Sequence, residues 1–449
     1  MYYLIVARPS DHSFLVESNS QLPTIPYSGT VTHYLRDVLD QVQMKLKHDL
    51  KLNFLRVECW SFEESWQTLI VFEVLGERST KAPKNCKWVT QSAADKVALV
   101  PPSETVREYL KKYKVHGLEV NGERLYSFSG AGWFESASTW IKRNLSDFGE
   151  EVESIEKLQH GLGSCVLKVR VRSGTLFYMK CSKRMRWWNE VGVTCALAEV
   201  MPETFNKPLA VDMERGWMLM RDYGKTLPYE LFETDLDMAK RVTCYWAEVQ
   251  KKSVSHVQEL VERGVAKVDG KALKAAVDQV MENPLWFKAQ RERMNEEQLE
   301  RYTDEVEYKD EYRRYLERLF DKIDGYKVPL AVVNGDVESV NTILRDEKCT
   351  FIDMFYTQVS FPFLDVVLLP IQCGYEFNDF DFDFYLEYWK EYESIERLRE
   401  LLLLIDEVSS VESVISSVDI FEQAEESHRE YYYGELKFPV CRTFGVHEE

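Results

Sequence analysis

The sequence predicts an α+β fold in which a β-rich first part is followed by a mainly helical second half. Short apolar and β-branched runs at 2–7, 54–60, 68–75 and 166–171 are typical of strands. From about residue 225 onward, apolar residues recur instead at the spacing of amphipathic helices. The chain has 449 residues, of which 45% are hydrophobic, so it can bury the cores of roughly two to four domains.

The charge balance gives the chain no general affinity for polyanions. With 56 Lys and Arg against 75 Asp and Glu, the net charge is -19. Such a charge provides no overall attraction for nucleic acid or for anionic lipid. The longest apolar run late in the chain, at 401–405, is far shorter than the roughly 20 residues that cross a bilayer. We therefore expect no nucleic-acid partner and no membrane partner.

Cysteine and histidine usage narrows the chemistry further. The nine cysteines form no C-x-x-C pair, and an odd number cannot all be paired within one chain. This usage, with an N-terminal run too short for a signal peptide, predicts reduced thiols and a cytoplasmic location. No His lies at metal-motif spacing and no G-x-S-x-G sequence occurs, which disfavours zinc and serine-hydrolase chemistry.

The first 125 residues predict a separate α+β module. Its strands surround one amphipathic helix at about 32–48. Pro101 and Pro102 break the chain, and Ser103 is a good N-cap for a following helix of about a dozen residues. Glycines and polar residues between about 116 and 132 then mark a domain boundary near residue 125.

The next elements follow from apolar spacing and turn residues. A helix is predicted from residue 133, and a β-hairpin joins strands at 166–171 and 176–180 through a Ser173-Gly174 turn. A second helix is expected at 188–200, and a later helix should end before Gly325. The apolar faces of the first and last of these helices are Trp133, Ala137, Trp140, Ile141 and Leu145, and Tyr312, Leu316, Leu319 and Ile323.

The stretch from residue 330 to 367 carries the most informative pattern. An apolar strand leads into Asn334-Gly335-Asp336, Asn341 follows, and a turn at 346–348 leads to a second strand that ends at Asp353. Two strand ends thus bring two carboxylates and an amide together. Phosphoryl transfer needs such a set, because one carboxylate orients the acceptor hydroxyl while hard oxygen ligands hold magnesium. The alternative is that each residue only caps a turn.

This segment resembles the catalytic loop and metal-binding segment of the aminoglycoside phosphotransferase and choline kinase-like families. Their pattern is H-G-D-x4-N, then I-D-W/F, then P-x-x-D, and this chain ends its version with Phe361-Pro362-Phe363-Leu364-Asp365. The resemblance implies a two-lobed protein-kinase-like fold, with Asp336 as the catalytic residue. It implies that Asn341 and Asp353 hold Mg2+. Asn334, in place of the usual histidine, and Asp365 would support the loop.

The upstream sequence supplies the remaining parts of such a fold in the expected order. Gly161 and Gly163 resemble a nucleotide loop, Lys180 ends a strand, and Glu190 opens the next helix at the position where these families have the partner of that lysine. The resemblance implies that these residues bind the phosphates of ATP or GTP. The alternatives are an ordinary turn and two solvated charges. The segment at 217–227 resembles the hinge of these families, whose backbone at Met220, Arg221 and Asp222 would meet the adenine edge.

The resulting domains are 1–125, a small lobe at 126–224 and a helical large lobe at 225–449. The first of these faintly resembles a degenerate Nudix fold. Its helix retains Arg36 and Asp37 in LRDVLDQVQ, but it lacks the paired glutamates of that family's R-E-x-x-E-E motif. We therefore expect a structural or recognition module without a working magnesium site.

The pattern as a whole predicts a nucleotide-dependent phosphotransferase that acts on a hydroxyl of a small molecule. The acidic balance is compatible with a cationic acceptor and does not select one. Fold does not fix substrate, and the sequence does not predict an oligomeric state. The alternative is a kinase-like pseudo-enzyme that senses a nucleotide or binds a partner, which the substitutions Asn334 and Met354 leave open.

Overall fold

A computed structural model of the chain divides into two compact units. One unit holds residues up to Lys183 together with Trp217–Arg221, and the other holds Arg184–Gly216 and Asp222–Glu422 with residues 433–437. The structure describes residues 2–8, 13–25, 35–46, 50–60, 67–75, 81–99, 107, 119–120, 123–124, 127–161, 163–423 and 433–437. The helix predicted after Ser103 lies outside the described residues except for Arg107.

The first unit begins with a six-stranded sheet whose central path is β4-β5-β1-β2-β6, with β3 paired to β1. Strand β1 runs parallel to β5, whereas its other pairings are antiparallel. The predicted helix is present as α1 (Leu35–Leu46). The strands are β1 (Tyr2–Arg8), β2 (Ser13–Glu17), β3 (Thr24–Ile25), β4 (Leu52–Trp60), β5 (Gln67–Val74) and β6 (Cys86–Thr90).

Residues 3–7 of β1 and 69–72 of β5 are buried on both faces of the sheet, which explains why these two strands contain continuous apolar runs rather than alternating ones. Tyr3 and Ile5 of β1 belong to one core, whereas Leu4 and Val6 belong to the other. Val42 of α1 packs into the second core. The sheet is therefore the middle layer of its module.

The first unit continues through the two-residue strands β7 (Glu119–Val120) and β8 (Glu123–Arg124) to helix α2 (Trp133–Asp147). All five predicted face residues of α2 are buried, so this prediction is confirmed. Trp133 and Trp140 meet Trp217 edge-on, with ring centroids 6.1 and 5.7 Å apart. Helix α2 thus packs its aromatic face on the second sheet of the unit.

Within this unit, the strands of the second sheet follow the antiparallel order β13-β11-β10-β9. Its strands are β9 (Val152–His160), β10 (Ser164–Val171), β11 (Leu176–Ser182) and β13 (Trp217–Arg221). The predicted hairpin is confirmed as β10 and β11. Strand β9 is an addition, because VESIEKLQH has too many polar residues to read as a strand and owes its state to pairing with β10.

The second unit is mainly helical. Helix α3 begins at Glu190, two residues later than predicted, because Asn189 is its N-cap. Strand β12 (Ala210–Asp212) follows it. The remaining helices before the catalytic segment are α4 (Leu231–Thr234), α5 (Leu236–Ser253), α6 (Val257–Glu262), α7 (Gly270–Met281), α8 (Trp286–Arg291), α9 (Glu296–Arg301) and α10 (Glu305–Ile323). The predicted apolar stripe of α10 is buried throughout and therefore confirmed.

Two short antiparallel pairs interrupt the helices. Strand β14 (Ala331–Val333) pairs with β17 (Gln358–Ser360), and β15 (Thr342–Arg345) pairs with β16 (Lys348–Phe351). A 3-10 helix follows at Pro362–Asp365. The last helices are α11 (Leu369–Gln372), α12 (Asp383–Leu386) and α13 (Ile395–Gln423). Among the described residues, no helix combines the length and the apolar character that a membrane span requires.

Candidate active site

The candidate catalytic loop leaves the buried strand β14 and re-enters the hairpin at β15. Its tight start depends on Gly335, whose φ of 76° lies in the left-handed region. A Cβ at this position would come within 2.9 Å of Tyr356 Cβ, which is closer than real contacts allow. The sequence therefore needs glycine between Asn334 and Asp336.

Asp365 anchors the start of this loop. Its Oδ2 accepts hydrogen bonds from the backbone N–H of Asn334 at 3.0 Å, from Trp246 Nε1 at 2.5 Å and from Gln250 Nε2 at 2.9 Å, and its Oδ1 accepts from Gly335 N at 2.7 Å. Burial raises the pKa of this carboxyl to about 6, although the four hydrogen bonds work in the opposite direction. Asp365 thus lies where a loop support is needed.

Sequence reasoning missed the two side chains of α5 in this anchor. Trp246 and Gln250 are four residues apart and both are fully buried, so they lie on one face of the helix. Gln250 also accepts a hydrogen bond from the hydroxyl of Tyr385, at 2.6 Å. The sequence carries no local signal for this anchor, because Trp246 and Asp365 are 119 residues apart.

Asn334 connects the loop to the segment of Asp353. Its side-chain oxygen accepts a hydrogen bond from Asp336 N at 2.9 Å, and its amide group lies 3.4 Å from the carbonyl oxygen of Asp353. The amide also lies 3.4 Å from the sulfur of Met354. An asparagine can both donate and accept, so this residue makes contacts on two sides of the loop.

Asp336 and Asn341 are brought together by the turn that precedes β15. The Asn341 amide nitrogen donates to the Asp336 carbonyl oxygen at 3.0 Å and to Asp336 Oδ2 at 2.9 Å. Asp336 is half-buried. Its carboxylate is therefore held in a defined orientation, while the amide oxygen of Asn341 is the atom left for a cation.

Asp353 lies just beyond β16, with a φ of 61°. This left-handed conformation is uncommon outside glycine, and aspartate is among the residues that tolerate it. Among the described residues, no group of three or more His, Cys, Asp or Glu side chains is arranged to hold a metal ion. One carboxylate and one amide oxygen nevertheless suit magnesium bound largely through phosphate oxygens. The side-chain oxygen atoms of Asn341 and Asp353 are therefore of the type that magnesium binds.

A further carboxylate that the sequence analysis did not single out lies in the same loop. Glu338 is half-buried, which raises its pKa, while a hydrogen bond from Gln372 lowers it. The neighbouring Ser339 hydroxyl donates to the carbonyl oxygen of Tyr229 at 3.0 Å, and the Tyr229 side chain is 74% exposed. The loop thus contains a further acidic group, Glu338, and contacts the backbone of Tyr229.

The candidate phosphate-binding residues are divided between the two units. Gly161 and Gly163 lie at the turn from β9 to β10, where Gly161 N donates to Ser164 O at 2.8 Å. Lys180 lies on β11 in the same unit, opposite Val166 of β10, and is 5% exposed. Glu190, the first residue of α3, lies in the second unit and is 1% exposed.

The candidate hinge follows the same division. Met220 and Arg221 end β13 in the first unit, and Met220 pairs with Tyr178 of β11. Asp222 opens the second unit, where its carboxylate accepts a hydrogen bond from Gly224 N at 2.9 Å. The sequence predictions for these positions concern nucleotide contacts and stay predictions.

The chain contains three parts in order. An antiparallel sheet with a buried lysine is followed by a helix that begins with a buried glutamate, and then by a helical part with an Asn-Gly-Asp loop and a later aspartate. This is the order that the sequence analysis predicts for a protein-kinase-like fold. The predicted α+β class with a β-rich part and a helical part is confirmed. The Nudix-like assignment and the boundaries near residues 125 and 225 stay predictions.

Solved structures of small-molecule kinases are similar to this chain. A macrolide 2'-phosphotransferase from Brachybacterium faecium matches with a TM-score of 0.43 and 12% identity, over 68% of this chain and 99% of that one. The choline kinase of Streptococcus pneumoniae gives 0.43 and 14%, over 67% and 97%. The ethanolamine kinase of Plasmodium vivax gives 0.48 and 13%, over 77% and 97%. No protein-family model and no curated protein sequence matches the chain.

Proposed function

We propose that the protein is a phosphotransferase that moves the γ-phosphate of ATP or GTP to a hydroxyl group of a small molecule. The observation that supports this most is the hydrogen bonding around Asp336, whose carboxylate is fixed by Asn341 and whose backbone is fixed by Asn334. A turn cap needs no such double restraint. A group that orients an acceptor hydroxyl does, because phosphoryl transfer depends mainly on positioning and charge neutralisation.

The roles of the other residues follow from the same chemistry. Asn341 and Asp353 would hold Mg2+ through hard oxygen atoms, and the cation would neutralise charge on the transferring phosphoryl group. Lys180 would neutralise the α- and β-phosphates. Its burial supports this role, because a buried cation is costly unless anionic groups compensate its charge.

The acceptor side of the proposal rests on the residues beside the catalytic loop. Glu338 could neutralise an ammonium group, and the exposed ring of Tyr229 could cover an apolar or cationic part of the acceptor. The net charge of -19 favours cationic over anionic acceptors in the same sense. These features support a small acceptor that bears both a hydroxyl and a positive charge.

Calorimetry with Mg-ATP and with Mg-GTP, followed by a transfer assay on a panel of hydroxylated amines, tests the proposal. We expect binding that chelation of magnesium weakens, and transfer to at least one acceptor. Binding without transfer would favour the kinase-like pseudo-enzyme, for which the replacement of a histidine by Asn334 is the motivating observation. Absence of binding at millimolar nucleotide would contradict the phosphotransferase proposal.

A further inference from the structure

Strand β4 of the N-terminal sheet carries an irregularity that faces the second sheet of the same unit. Its register with β5 shifts between Phe54 and Arg56, which leaves Leu55 as an extra residue. The carbonyl oxygen of Phe54 accepts a hydrogen bond from Lys157 Nζ of β9 at 2.7 Å. Such bulges re-aim backbone and side chains locally, and this one supplies a polar link between the two sheets.

His160, the last residue of β9, is enclosed by the same region. Its ring centroid lies 4.8 Å from that of Phe54 and 5.0 Å from that of Phe128, with interplanar angles of 89° and 84°. These are edge-to-face contacts, the arrangement that aromatic rings prefer. Ser129 Oγ lies 3.2 Å from His160 Nε2. The imidazole, which is 5% exposed, is thus held by two aromatic rings and at one nitrogen.

Buried charges on the N-terminal sheet hold the segment that supplies Phe128 and Ser129. Arg56 donates to the carbonyl oxygen of Ser129 at 3.3 Å. Glu73 accepts hydrogen bonds from Asn53 Nδ2 at 2.8 Å and from Gly132 N at 2.9 Å. Arg56 and Glu73 are both at least nine-tenths buried. The segment that supplies Phe128 and Ser129 to the surroundings of His160 is therefore held by hydrogen bonds to strands β4 and β5.

His160 directly precedes the glycine turn. Within that turn, Gly161 N donates to Ser164 O at 2.8 Å, and Lys183 N donates to Gly163 O at 2.7 Å. Gly161 and Gly163 have no side chains that could hold the turn in place. The direction in which the chain enters the turn is therefore set by the residue before it.

We infer that His160 is a positioning residue, and that the N-terminal sheet serves the protein as the support of the glycine turn. This inference rests on the proposed function, in which the turn covers the nucleotide phosphates. A pre-organised turn binds phosphates without the loss of freedom that an unsupported glycine turn would suffer on binding. The N-terminal module then acts on nucleotide affinity without touching the nucleotide.

The test uses full-length variants and hydrogen exchange of the Gly161 and Lys183 amides, together with calorimetric affinity for Mg-ATP. His160→Ala removes the ring, and we expect exchange at both amides to accelerate about tenfold and affinity to fall about fivefold. His160→Phe keeps the ring contacts and should stay within about twofold of the parent in exchange. The matched control is Phe14→Leu. Phe14 belongs to the core on one face of the N-terminal sheet, whereas Phe54, which contacts His160, belongs to the core on the opposite face.

The control separates positioning from general stability. If Phe14→Leu accelerates exchange at the two amides as much as His160→Ala does, at an equal loss of melting temperature, the inference is overturned. Should His160→Ala fail to fold, Ser129→Ala removes only the hydrogen bond, and unchanged exchange in that variant would overturn the inference. A parent protein that binds no nucleotide contradicts the proposed function, while the exchange data still decide whether the sheet supports the turn.

Discussion

At the scale of single residues, the two candidate aspartates should behave differently. Asp336 is held by Asn341 and faces the acceptor in our proposal, whereas Asp353 would bind the cation. We predict that Asp336→Asn abolishes transfer and spares nucleotide binding. Asp353→Asn should weaken magnesium-dependent binding itself. Turnover, nucleotide affinity and melting temperature of both variants beside the parent check this asymmetry.

An exposed N-cap provides the control for this pair of substitutions. Asp235 caps α5 by accepting from Met238 N at 3.0 Å, and its replacement by Asn should leave turnover unchanged because asparagine caps helices equally well. If both site variants lose activity only in proportion to a loss of stability of about 0.5–2 kcal/mol, they are caps as well. Full turnover by Asp336→Asn would refute the catalytic assignment.

Asp365 should produce opposite effects of pH on stability and on activity. Its pKa is raised from 3.8 to about 6 by burial, so the folded state binds the proton more tightly than the unfolded state does. Lowering the pH from 7 to 5 therefore stabilises the fold through this group, by roughly 1.3 kcal/mol. Turnover should fall over the same range, because a protonated carboxyl is a poorer acceptor for the N–H groups of Asn334 and Gly335.

Denaturant unfolding and turnover measured across that pH range test the prediction. The comparison variant is Asp365→Asn, which cannot titrate. It has one acceptor oxygen instead of two, and its NH2 group cannot accept hydrogen bonds from Trp246 and Gln250. It should be at least about tenfold less active at pH 7, and the stabilisation through this group on acidification should disappear. If the variant keeps the full pH dependence of the parent, another group is responsible.

At the scale of elements, the sequence predicts those whose signals are local. The Ser173-Gly174 turn and the alternating pattern around it predict β10 and β11, and apolar residues at helical spacing predict α2 and α10. Strand β9 escapes such reasoning because pairing, not its own composition, makes it a strand. The catalytic loop is predictable from linear order. Its anchors on α5 are not, since Trp246 and Asp365 are 119 residues apart in the chain.

The segment that leads into α3 is fastened by an ion pair of unusual burial. Arg186 Nε and Nη2 donate to the two carboxylate oxygens of Asp419 on α13, each at 2.7 Å, and the side chains are 20% and 6% exposed. Removing one partner leaves a buried charge. We predict that Asp419→Asn lowers the free energy of unfolding by about 3 kcal/mol.

Chemical denaturation of Asp419→Asn, Arg186→Met and the double variant measures the coupling between these residues. The double variant should lose less than the sum of the single variants. The matched control is the exposed pair of Arg313 and Asp278, with side chains 43% and 55% exposed, where Arg313→Met should cost less than about 1 kcal/mol. Equal losses of unfolding free energy at the two pairs would show that burial does not strengthen the ion pair of Arg186 and Asp419.

At the scale of the whole molecule, the first 125 residues are predicted from sequence as a separate module, yet their sheet shares a compact unit with β9–β11. The links between them join β4 to β9 through Phe54, Lys157 and His160. These contacts cannot be predicted from a local sequence pattern, because Lys157 and His160 belong to no motif within their own segment. A domain boundary in sequence thus does not imply independent folding.

We therefore predict that the chain from residue 126 to 449 does not fold stably without the N-terminal sheet. Its removal would expose Phe128 and the ring of His160, and would leave Lys157 without the Phe54 carbonyl oxygen. Desolvation by burial now lowers the pKa of His160 well below 6.5, helped by the positive charges of Lys157 and Arg56. In the intact chain, stability that depends on this neutral imidazole is lost as the pH falls below 6.5, because the unfolded state takes up the proton.

Thermal unfolding and binding of a hydrophobic dye by the shortened chain, compared with the full chain at pH 7.5, test whether residues 126–449 fold without the N-terminal sheet. A shortened chain that unfolds cooperatively at the parent's temperature and binds no dye would show that the two sheets are independent.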